Sequence, residues 1–341
     1  MEPIQLGALK IYPFGLFVAV LLIPFFILVS FRMKKNELKK ETASWFALLA
    51  VPLCLIFARL GYCLATLDEL VDIHGLGFVF RTGEGGFLLW GAVCGVLLSA
   101  KFAGKITKQS GAVVSDSMIV SACLMIAAIR LLCGLMFGGY SVGLSLESWF
   151  SPEETDFTCR YSVWPLADYS FFERFPFAVQ DFYGDWCWAI FVLQSLWAVI
   201  IAVLLHRCKA APGGKTVWFI ILYACGSIAA DTMLFGGDIL FLPWVGFAKT
   251  DLILCAVALV AAFTVCARRL PKEQRLAPTF IALAQFAAAV GIVVIVEFSA
   301  FEKKVSAINW LPADACHLIA VLACLWIALA FRSVWKKAYA L

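Results

Sequence analysis

Nine apolar runs, each roughly 16–26 residues long, divide this chain of 341 residues. A helix needs about 20 residues to cross the hydrocarbon core of a bilayer, so runs of this length fit transmembrane helices. A transmembrane β-barrel would instead have short segments of alternating hydrophobicity. The runs are Phe14–Phe31, Trp45–Leu67, Gly85–Ala103, Ala112–Phe137, Trp186–Leu205, Thr216–Phe235, Leu252–Ala267, Pro278–Phe298 and Leu311–Phe331. The pattern predicts an all-α, polytopic membrane protein with about nine transmembrane helices.

Composition supports the same class of protein. Hydrophobic residues make up 63% of the chain and charged residues only 15%, with a mean hydropathy of +0.93. A soluble domain is about 45–50% apolar and about 25% charged. Most of the thirteen cysteines lie in the apolar runs, where thiols behave as small apolar side chains. His74, His206 and His317 form no cluster, so we expect no metal site and no cofactor.

The lysines and arginines predict the orientation in the membrane. Most of the 27 basic residues follow the first, third, fifth, seventh and ninth runs. Cytoplasmic loops carry this excess, so we expect the N-terminus outside and the C-terminus in the cytoplasm. The net charge of +4 then reflects orientation, and we expect no nucleic-acid partner. No small-residue cleavage site precedes the basic stretch after the first run, so we expect no cleaved signal peptide.

The longest loop, Gly138–Asp185, lies on the predicted outer side and is both acidic and aromatic. A loop of this length and aromatic content favours a small folded cap on the outer face. An aromatic belt at the membrane interface is an alternative, and both can hold together. Cys159 and Cys187 can pair there in an oxidising compartment, although nothing in their spacing demands it.

Of the charged residues inside the apolar runs, Arg59, Arg130 and Asp231 say most about what the protein handles. A guanidinium stays charged in a protein, and placing it in hydrocarbon costs several kcal/mol. The predicted orientation puts all three roughly 6–12 Å below the outer rim of the membrane. Asp251 begins the seventh run at the same level, whereas Asp116 lies near the inner end of the fourth.

These buried charges allow three interpretations. An Arg–Asp pair can simply lock helices together, and an arginine at this depth can extend its side chain to the interface. The functional interpretation is a cavity open to the outer leaflet that contains two cations. Its natural ligand is a phospholipid headgroup, because arginine matches phosphate in charge and in fork geometry.

The segments Ile11–Leu16, Ala58–Tyr62, Gly85–Gly91, Val114–Asp116 and Arg130–Leu131 form a series of short motifs in the first half of the chain. Together they resemble the motifs of the prolipoprotein diacylglyceryl transferase family. These bacterial enzymes move diacylglycerol from phosphatidylglycerol to the lipobox cysteine of a preprolipoprotein. Five segments match the family in the right order and spacing: Ile11–Leu16 (I-Y-x-Y-G-L), Ala58–Tyr62 (A-R-[IL]-G-Y), Gly85–Gly91 (G-G-x-x-x-H-G-G), Val114–Asp116 (V-S-D) and Arg130–Leu131 (the start of R-L-G-N-F-x-N-G-E).

The chain departs from the family pattern at several positions. Trp90 stands where the family has histidine, Cys133 where it has asparagine, and Phe14 where it has tyrosine. Tyr223, Ser227 and Asp231 match Y-G-x-x-R-x-x-x-E more weakly, with serine in place of arginine and aspartate in place of glutamate. The resemblance covers residues 1–268, which we expect to form a transferase-like core including loop 138–185. Residues 269–341 would add two transmembrane helices.

The resemblance implies a multi-pass protein of the bacterial cytoplasmic membrane with phosphatidylglycerol as its lipid partner and, if active, a preprolipoprotein signal peptide as its second substrate. The implied catalytic residues are Arg130 and Asp231, and the implied phospholipid-binding residues are Arg59, Arg130, Tyr12, Tyr62, Tyr223 and Glu84. Asp231 or Glu84 would act as the base, or the acceptor thiol would ionise beside the arginines. Three hypotheses remain: a divergent transferase, a phospholipid-binding scaffold that lost its chemistry, and a transporter. The transporter is disfavoured because no inverted repeat is evident.

Overall fold

Nine helices, each at least 18 residues long, lie in the part of the chain that the structure, a computed structural model, describes. The described residues are 4–6, 9–11, 13–65, 77, 79, 88–136, 175–180, 186–233, 239–242, 246–302, 311 and 313–339. The helices are α1 (Pro13–Lys35), α2 (Lys40–Ala65), α3 (Leu89–Thr107), α4 (Gly111–Met136), α5 (Ile190–Arg207), α6 (Gly214–Asp231), α7 (Thr250–Arg269), α8 (Lys272–Glu302) and α9 (Ala313–Tyr339).

Eight of these helices are long and apolar enough to cross a membrane, which confirms the prediction of an all-α polytopic membrane protein. The one remaining helix of the nine is α6, which carries Lys215 and Asp231 near its ends. None of its residues is exposed, so α6 needs no lipid-facing apolar surface. The orientation of the bundle in the membrane stays a prediction.

Three short antiparallel hairpins accompany the helices, and the apolar pattern did not predict them. They are β1 (Ile4–Leu6) with β2 (Leu9–Ile11), β3 (Ala178–Gln180) with β4 (Trp186–Trp188), and β5 (Ile239–Leu242) with β6 (Gly246–Lys249). The second strands come shortly before α1, α5 and α7, so the fifth helix begins at Ile190 and not at Trp186. Of the predicted cap 138–185, only residues 175–180 lie within the described residues.

Helices α4 and α6 form the centre of the bundle. Helix α4 packs on α1, α3, α5 and α6, and α6 packs on α4, α5, α7 and α9. The outer helices instead expose large apolar side chains such as Ile23, Leu64 and Phe280. These side chains suit contact with lipid acyl chains. Two of the three predicted intramembrane charges, Arg130 and Asp231, therefore lie on the two central helices.

Helices α2 and α3 approach closely because glycines face the backbone of α2. A Cβ atom on Gly91 would overlap the carbonyl oxygen of Phe57 and lie 2.9 Å from the Cα of Ala58. A Cβ atom on Gly95 would lie 2.8 Å from the Cα of Cys54. Small residues spaced four apart are typical of close helix packing in membranes. The Leu88 amide also donates to the Ala58 carbonyl at 2.9 Å, which fixes the start of α3 against α2.

The basic loops meet at one end of the bundle, which we call the basic end. The Arg32 guanidinium contacts His206 Nδ1 at 3.3 Å, and the Lys39 ammonium donates to the Thr107 carbonyl at 3.4 Å. The Arg269 guanidinium lies 4.3 Å from the ring centroid of Tyr339. Helices α2, α4 and α6 begin at this end, so their last turns lie at the opposite end, which we call the site end.

The last helix packs directly onto the centre of the bundle. The Trp335 indole N–H donates to the Gly214 carbonyl at 2.8 Å, and its ring stacks on Trp218 with centroids 5.2 Å apart. The Ala211 amide donates to the Tyr339 carbonyl at 3.1 Å. Helix α9 thus reaches the first turn of α6 at the basic end.

Candidate functional site

Arg130 and Tyr223 form the centre of a buried polar cluster at the site end. Arg130 lies near the end of α4 and is only 6% exposed, and Tyr223 on α6 is 4% exposed. The Arg130 guanidinium donates a hydrogen bond to the hydroxyl of Tyr223. The Tyr223 ring is also held by stacking on Phe219, with centroids 5.3 Å apart.

Two carboxylates lie near the thiol of Cys255, which in turn lies near Tyr223. Tyr223, Ser227 and Asp231 are spaced four residues apart and therefore share one face of α6. Asp231 is 7% exposed and, like Asp251, acts electrostatically on the thiol of Cys255 in α7. Asp251 also acts on Tyr223. It lies in the first turn of α7, where the positive end of the helix dipole favours a carboxylate.

Trp90 completes the cluster from α3. Its ring meets the Tyr223 ring edge-on with centroids 5.7 Å apart, and its side chain is 6% exposed. The thiol of Cys255 lies beside the indole N–H. Even so, Trp90 Nε1 is buried and has no hydrogen-bond partner of normal geometry. A buried donor without a partner costs about 1–3 kcal/mol, so this atom is the unusual feature of the cluster.

Arg59 and Tyr62 form a second buried group on α2. Arg59 is 3% exposed, its guanidinium carbon lies 5.7 Å from the centroid of the Tyr62 ring, and its Nε donates to the Val79 carbonyl at 3.5 Å. The first turn of α3 lies between the two groups. Leu88 bonds to Ala58, beside Arg59, and Trp90 contacts Tyr223. The cluster around Arg130 and the group around Arg59 therefore lie on either side of the first turn of α3.

The predicted site residues fall into three sets. The structure joins Arg130 to Tyr223, connects Asp231 to this pair through Cys255, and places Arg59 with Tyr62 in the group on α2. Tyr12 and Glu84 lie outside the described residues. Their assignments, like the roles of the other five residues, stay predictions.

The apolar pattern of the sequence does not reveal the part of the site contributed by Cys255. We treated the cysteines as small apolar residues, and nothing distinguishes Cys255 from its neighbours in an apolar run. One indication was available: Asp251 lies four residues earlier and therefore on the same face of the helix. Within the part of the chain that the structure describes, no group of three or more His, Cys, Asp or Glu residues could hold a metal ion.

Asp116 has a structural role at the basic end. Its carboxylate accepts hydrogen bonds from the Gly213 amide at 2.8 Å, from the Thr216 amide at 2.9 Å and from the Thr216 hydroxyl at 2.7 Å. These are N-terminal groups of α6, and an acidic side chain there satisfies donors that the helix leaves open. Asp116 thus caps α6 from α4, which explains a charge far from the site end.

The fold and this cluster define the class of the protein: a multi-pass membrane protein with a polar site buried near one end of its helical bundle. The chain belongs to the prolipoprotein diacylglyceryl transferase family, whose profile matches residues 2–268. The apolar helices and the bacterial relatives identify it as a multi-pass protein of the bacterial plasma membrane.

Several curated relatives carry the name phosphatidylglycerol–prolipoprotein diacylglyceryl transferase. The protein from Halalkalibacterium halodurans is 25% identical over 235 residues, which are 67% of this chain and 74% of the relative. The protein from Oceanobacillus iheyensis is 26% identical over 229 residues, 65% of this chain and 73% of the relative. The protein from Listeria innocua is 24% identical over 240 residues, 67% of this chain and 77% of the relative.

Proposed function

We propose that this protein binds phosphatidylglycerol at Arg130 and transfers the diacylglyceryl group to the thiol of a lipobox cysteine in a preprolipoprotein. The observation that carries the proposal is the buried Arg130–Tyr223 pair, with Asp231 nearby, in a chain of this family. The substrates are those that the names of the relatives state for those proteins.

The first step is binding of the lipid phosphate. Arg130 keeps its charge in the apolar interior, and its planar guanidinium matches a phosphate in charge and in geometry. A bidentate arginine–phosphate contact is stronger and more directional than a contact with a point charge. Arg59 supplies a second buried cation on α2, and its position suits a later contact with the same headgroup or with the leaving phosphate.

The second step is displacement at the glyceryl carbon that carries the phosphate. The acceptor thiol loses its proton, and the thiolate sulfur attacks this carbon. The new C–S bond forms as the C–O bond to phosphate breaks, and glycerol phosphate leaves with the electron pair. Arg130 stabilises the negative charge that gathers on the leaving phosphate. The product on the protein substrate is a thioether.

The proton of the acceptor thiol needs a base near the lipid. Asp231 is the proposed base, because it is buried, belongs to the cluster and lies on the same face of α6 as Tyr223. A carboxylate in a position of low water access accepts a proton more readily than one in water. Asp251, which also lies near Cys255, is the alternative base within the described residues.

A second candidate function is phospholipid binding without catalysis. Trp90 and Ser227 favour it, because an indole cannot accept a proton and a serine cannot neutralise a phosphate. Arg130 would then hold the same lipid, while no transfer would follow. Both candidates share the lipid site and differ only in turnover.

Complementation of a bacterium depleted of its diacylglyceryl transferase separates the two functions. Rescue by the wild type that is lost in Arg130→Ala and in Asp231→Asn supports the transferase. Arg32→Ala is the matched control, since Arg32 lies at the basic end and contacts His206. Failure to rescue, with partial activity from Trp90→His combined with Ser227→Arg, supports the non-catalytic lipid binder. Rescue that survives Arg130→Ala would remove the proposed site altogether.

A further inference from the structure

The buried N–H of Trp90 has no role in the packing of the free protein. The Trp90 ring packs edge-on against Tyr223, a contact that the ring of phenylalanine could also make. The side chain is more than nine-tenths buried, yet Nε1 lacks a hydrogen-bond partner. Buried polar atoms in folded proteins nearly always have a partner, so an orphaned donor at a candidate site indicates a group still to bind.

The neighbouring thiol of Cys255 does not supply the acceptor that the Trp90 N–H lacks. Cys255 lies beside the indole, but a thiol sulfur is a weak acceptor. The indole N–H can only donate, so its missing partner must present an acceptor atom. Arg130 and Trp90 both contact Tyr223, Arg130 at the hydroxyl and Trp90 at the ring. A phosphate held by Arg130 would therefore lie close to the unpartnered N–H.

The geometry points to Trp90 as a lipid-positioning residue whose indole N–H donates to a phosphate oxygen of the phospholipid held by Arg130. This inference rests on the proposed function and deepens it. It assigns a neutral, permanent donor to the position where the family pattern has histidine. Arg130 supplies the positive charge. Trp90 supplies a hydrogen bond from a second direction, which prevents the phosphate from rotating about its contact with the guanidinium. A hydrogen bond to a charged group is stronger than one between neutral groups.

A Trp90→Phe variant should have unchanged or higher thermal stability but a lower affinity for the lipid. The variant keeps an aromatic ring against Tyr223 and removes the orphaned donor, so without lipid its thermal stability should equal or exceed that of the wild type. Its affinity for phosphatidylglycerol should fall roughly 10- to 100-fold, because it loses a hydrogen bond to a charged group. A purely structural role for Trp90 would lower both quantities together.

The test measures lipid binding and stability on the full-length protein. Delipidated protein in a neutral detergent is titrated with phosphatidylglycerol, and bound lipid is counted by native mass spectrometry, while thermal unfolding is followed in parallel. Trp218→Phe is the matched control, because Trp218 is equally buried but stacks on Trp335 at the basic end. Trp90→His restores a donor N–H and should recover part of the affinity. Soluble glycerol phosphate, titrated separately, distinguishes a free phosphate from a lipid.

The outcomes separate this inference from the proposed function. Weaker lipid binding by Trp90→Phe, with unchanged stability and a normal Trp218→Phe control, supports the donor role. Unchanged lipid binding by Trp90→Phe, together with loss in Arg130→Ala, overturns the donor role and leaves the lipid site intact. If Arg130→Ala also binds normally, the lipid site itself is refuted. Binding of glycerol phosphate as tight as that of the lipid would overturn the lipid assignment. If Trp90→Phe fails to fold, Trp90→Leu, which also lacks a side-chain donor, gives the same comparison.

Discussion

The close contact between α2 and α3 makes Gly91→Ala a sharp test of how the site is built. The added methyl group would overlap the Phe57 carbonyl oxygen and lie 2.8 Å from the Phe57 carbonyl carbon. All of these neighbours are backbone atoms, which cannot rotate away as a flexible side chain can. Relief requires α2 and α3 to separate. Arg59 lies next to Ala58 on α2, and Trp90 precedes Gly91 on α3, so the change moves two sides of the site apart.

The expected cost follows from the contact distances. Carbon atoms normally pack about 3.5–4.0 Å apart, and the new Cβ would lie 2.9 Å from the Cα of Ala58. The helices must therefore separate by roughly 0.6–1.1 Å at this point. Overpacking of this kind costs about 1–3 kcal/mol, while removal of a helical glycine returns about 0.5–1 kcal/mol. The difference between these two ranges is about 0–2.5 kcal/mol, so we expect a net loss of about 1 kcal/mol, which is a few degrees in Tm.

Thermal unfolding in detergent measures this loss, and Gly291→Ala supplies the control. Gly291 lies in α8 with no heavy atom within 4 Å of an added Cβ, so this variant should unfold at or above the wild-type temperature. Phosphatidylglycerol binding by the folded Gly91→Ala protein should also weaken, because Arg59 and Trp90 move apart. If Gly91→Ala is as stable as Gly291→Ala and binds lipid normally, the close α2–α3 contact is not what positions the site.

Three further predictions test other parts of the structure. Cysteine labelling, in a background without reactive thiols, should reach Ser151→Cys from outside and Gln274→Cys only from the cytoplasm; reversed labelling would place Arg130 in the inner leaflet. Asp116→Ala should lower the free energy of unfolding by about 1–3 kcal/mol, because three donors of α6 lose their acceptor; an unchanged Tm would rule out the cap. Arg130→Lys should bind phosphatidylglycerol with an affinity between those of wild type and Arg130→Ala in native mass spectrometry, because an ammonium lacks the planar fork; full retention would show that charge alone suffices.

The helices were predictable from the sequence because the hydrocarbon core of a bilayer has a nearly fixed thickness, which sets the length of every apolar run that crosses it. The apolar runs marked every helix, and the charged ends of those runs placed the basic loops that meet at the basic end. The hairpins were not predictable in the same way. Trp186 and Trp188 look like the start of an apolar run, but their backbone pairs with Ala178 and Gln180. Strand pairing depends on a distant partner, which the composition of a single run does not reveal.

The candidate site was partly predictable for a similar reason. Arg130 and Asp231 stood out because charges are rare in apolar runs, and the spacing of Tyr223 from Asp231 put them on one face of α6. Trp90 and Cys255 could not stand out in this way. A tryptophan and a cysteine are ordinary residues in a membrane helix, and their importance comes only from which side chains they meet across the bundle.

Helix α6 connects the two ends of the molecule. Its first turn is held at the basic end by the Asp116 carboxylate and by the contact between Trp335 and Gly214. Its last turns carry Tyr223 and Asp231 to the site end. A helix is stiff along its axis, so anchoring its first turn also sets the height of its last turn. Helix α9, which follows the segment that the family profile matches, therefore supports the same helix that presents the site. Its contribution to lipid binding would act through the position of α6 and not through contact with the lipid.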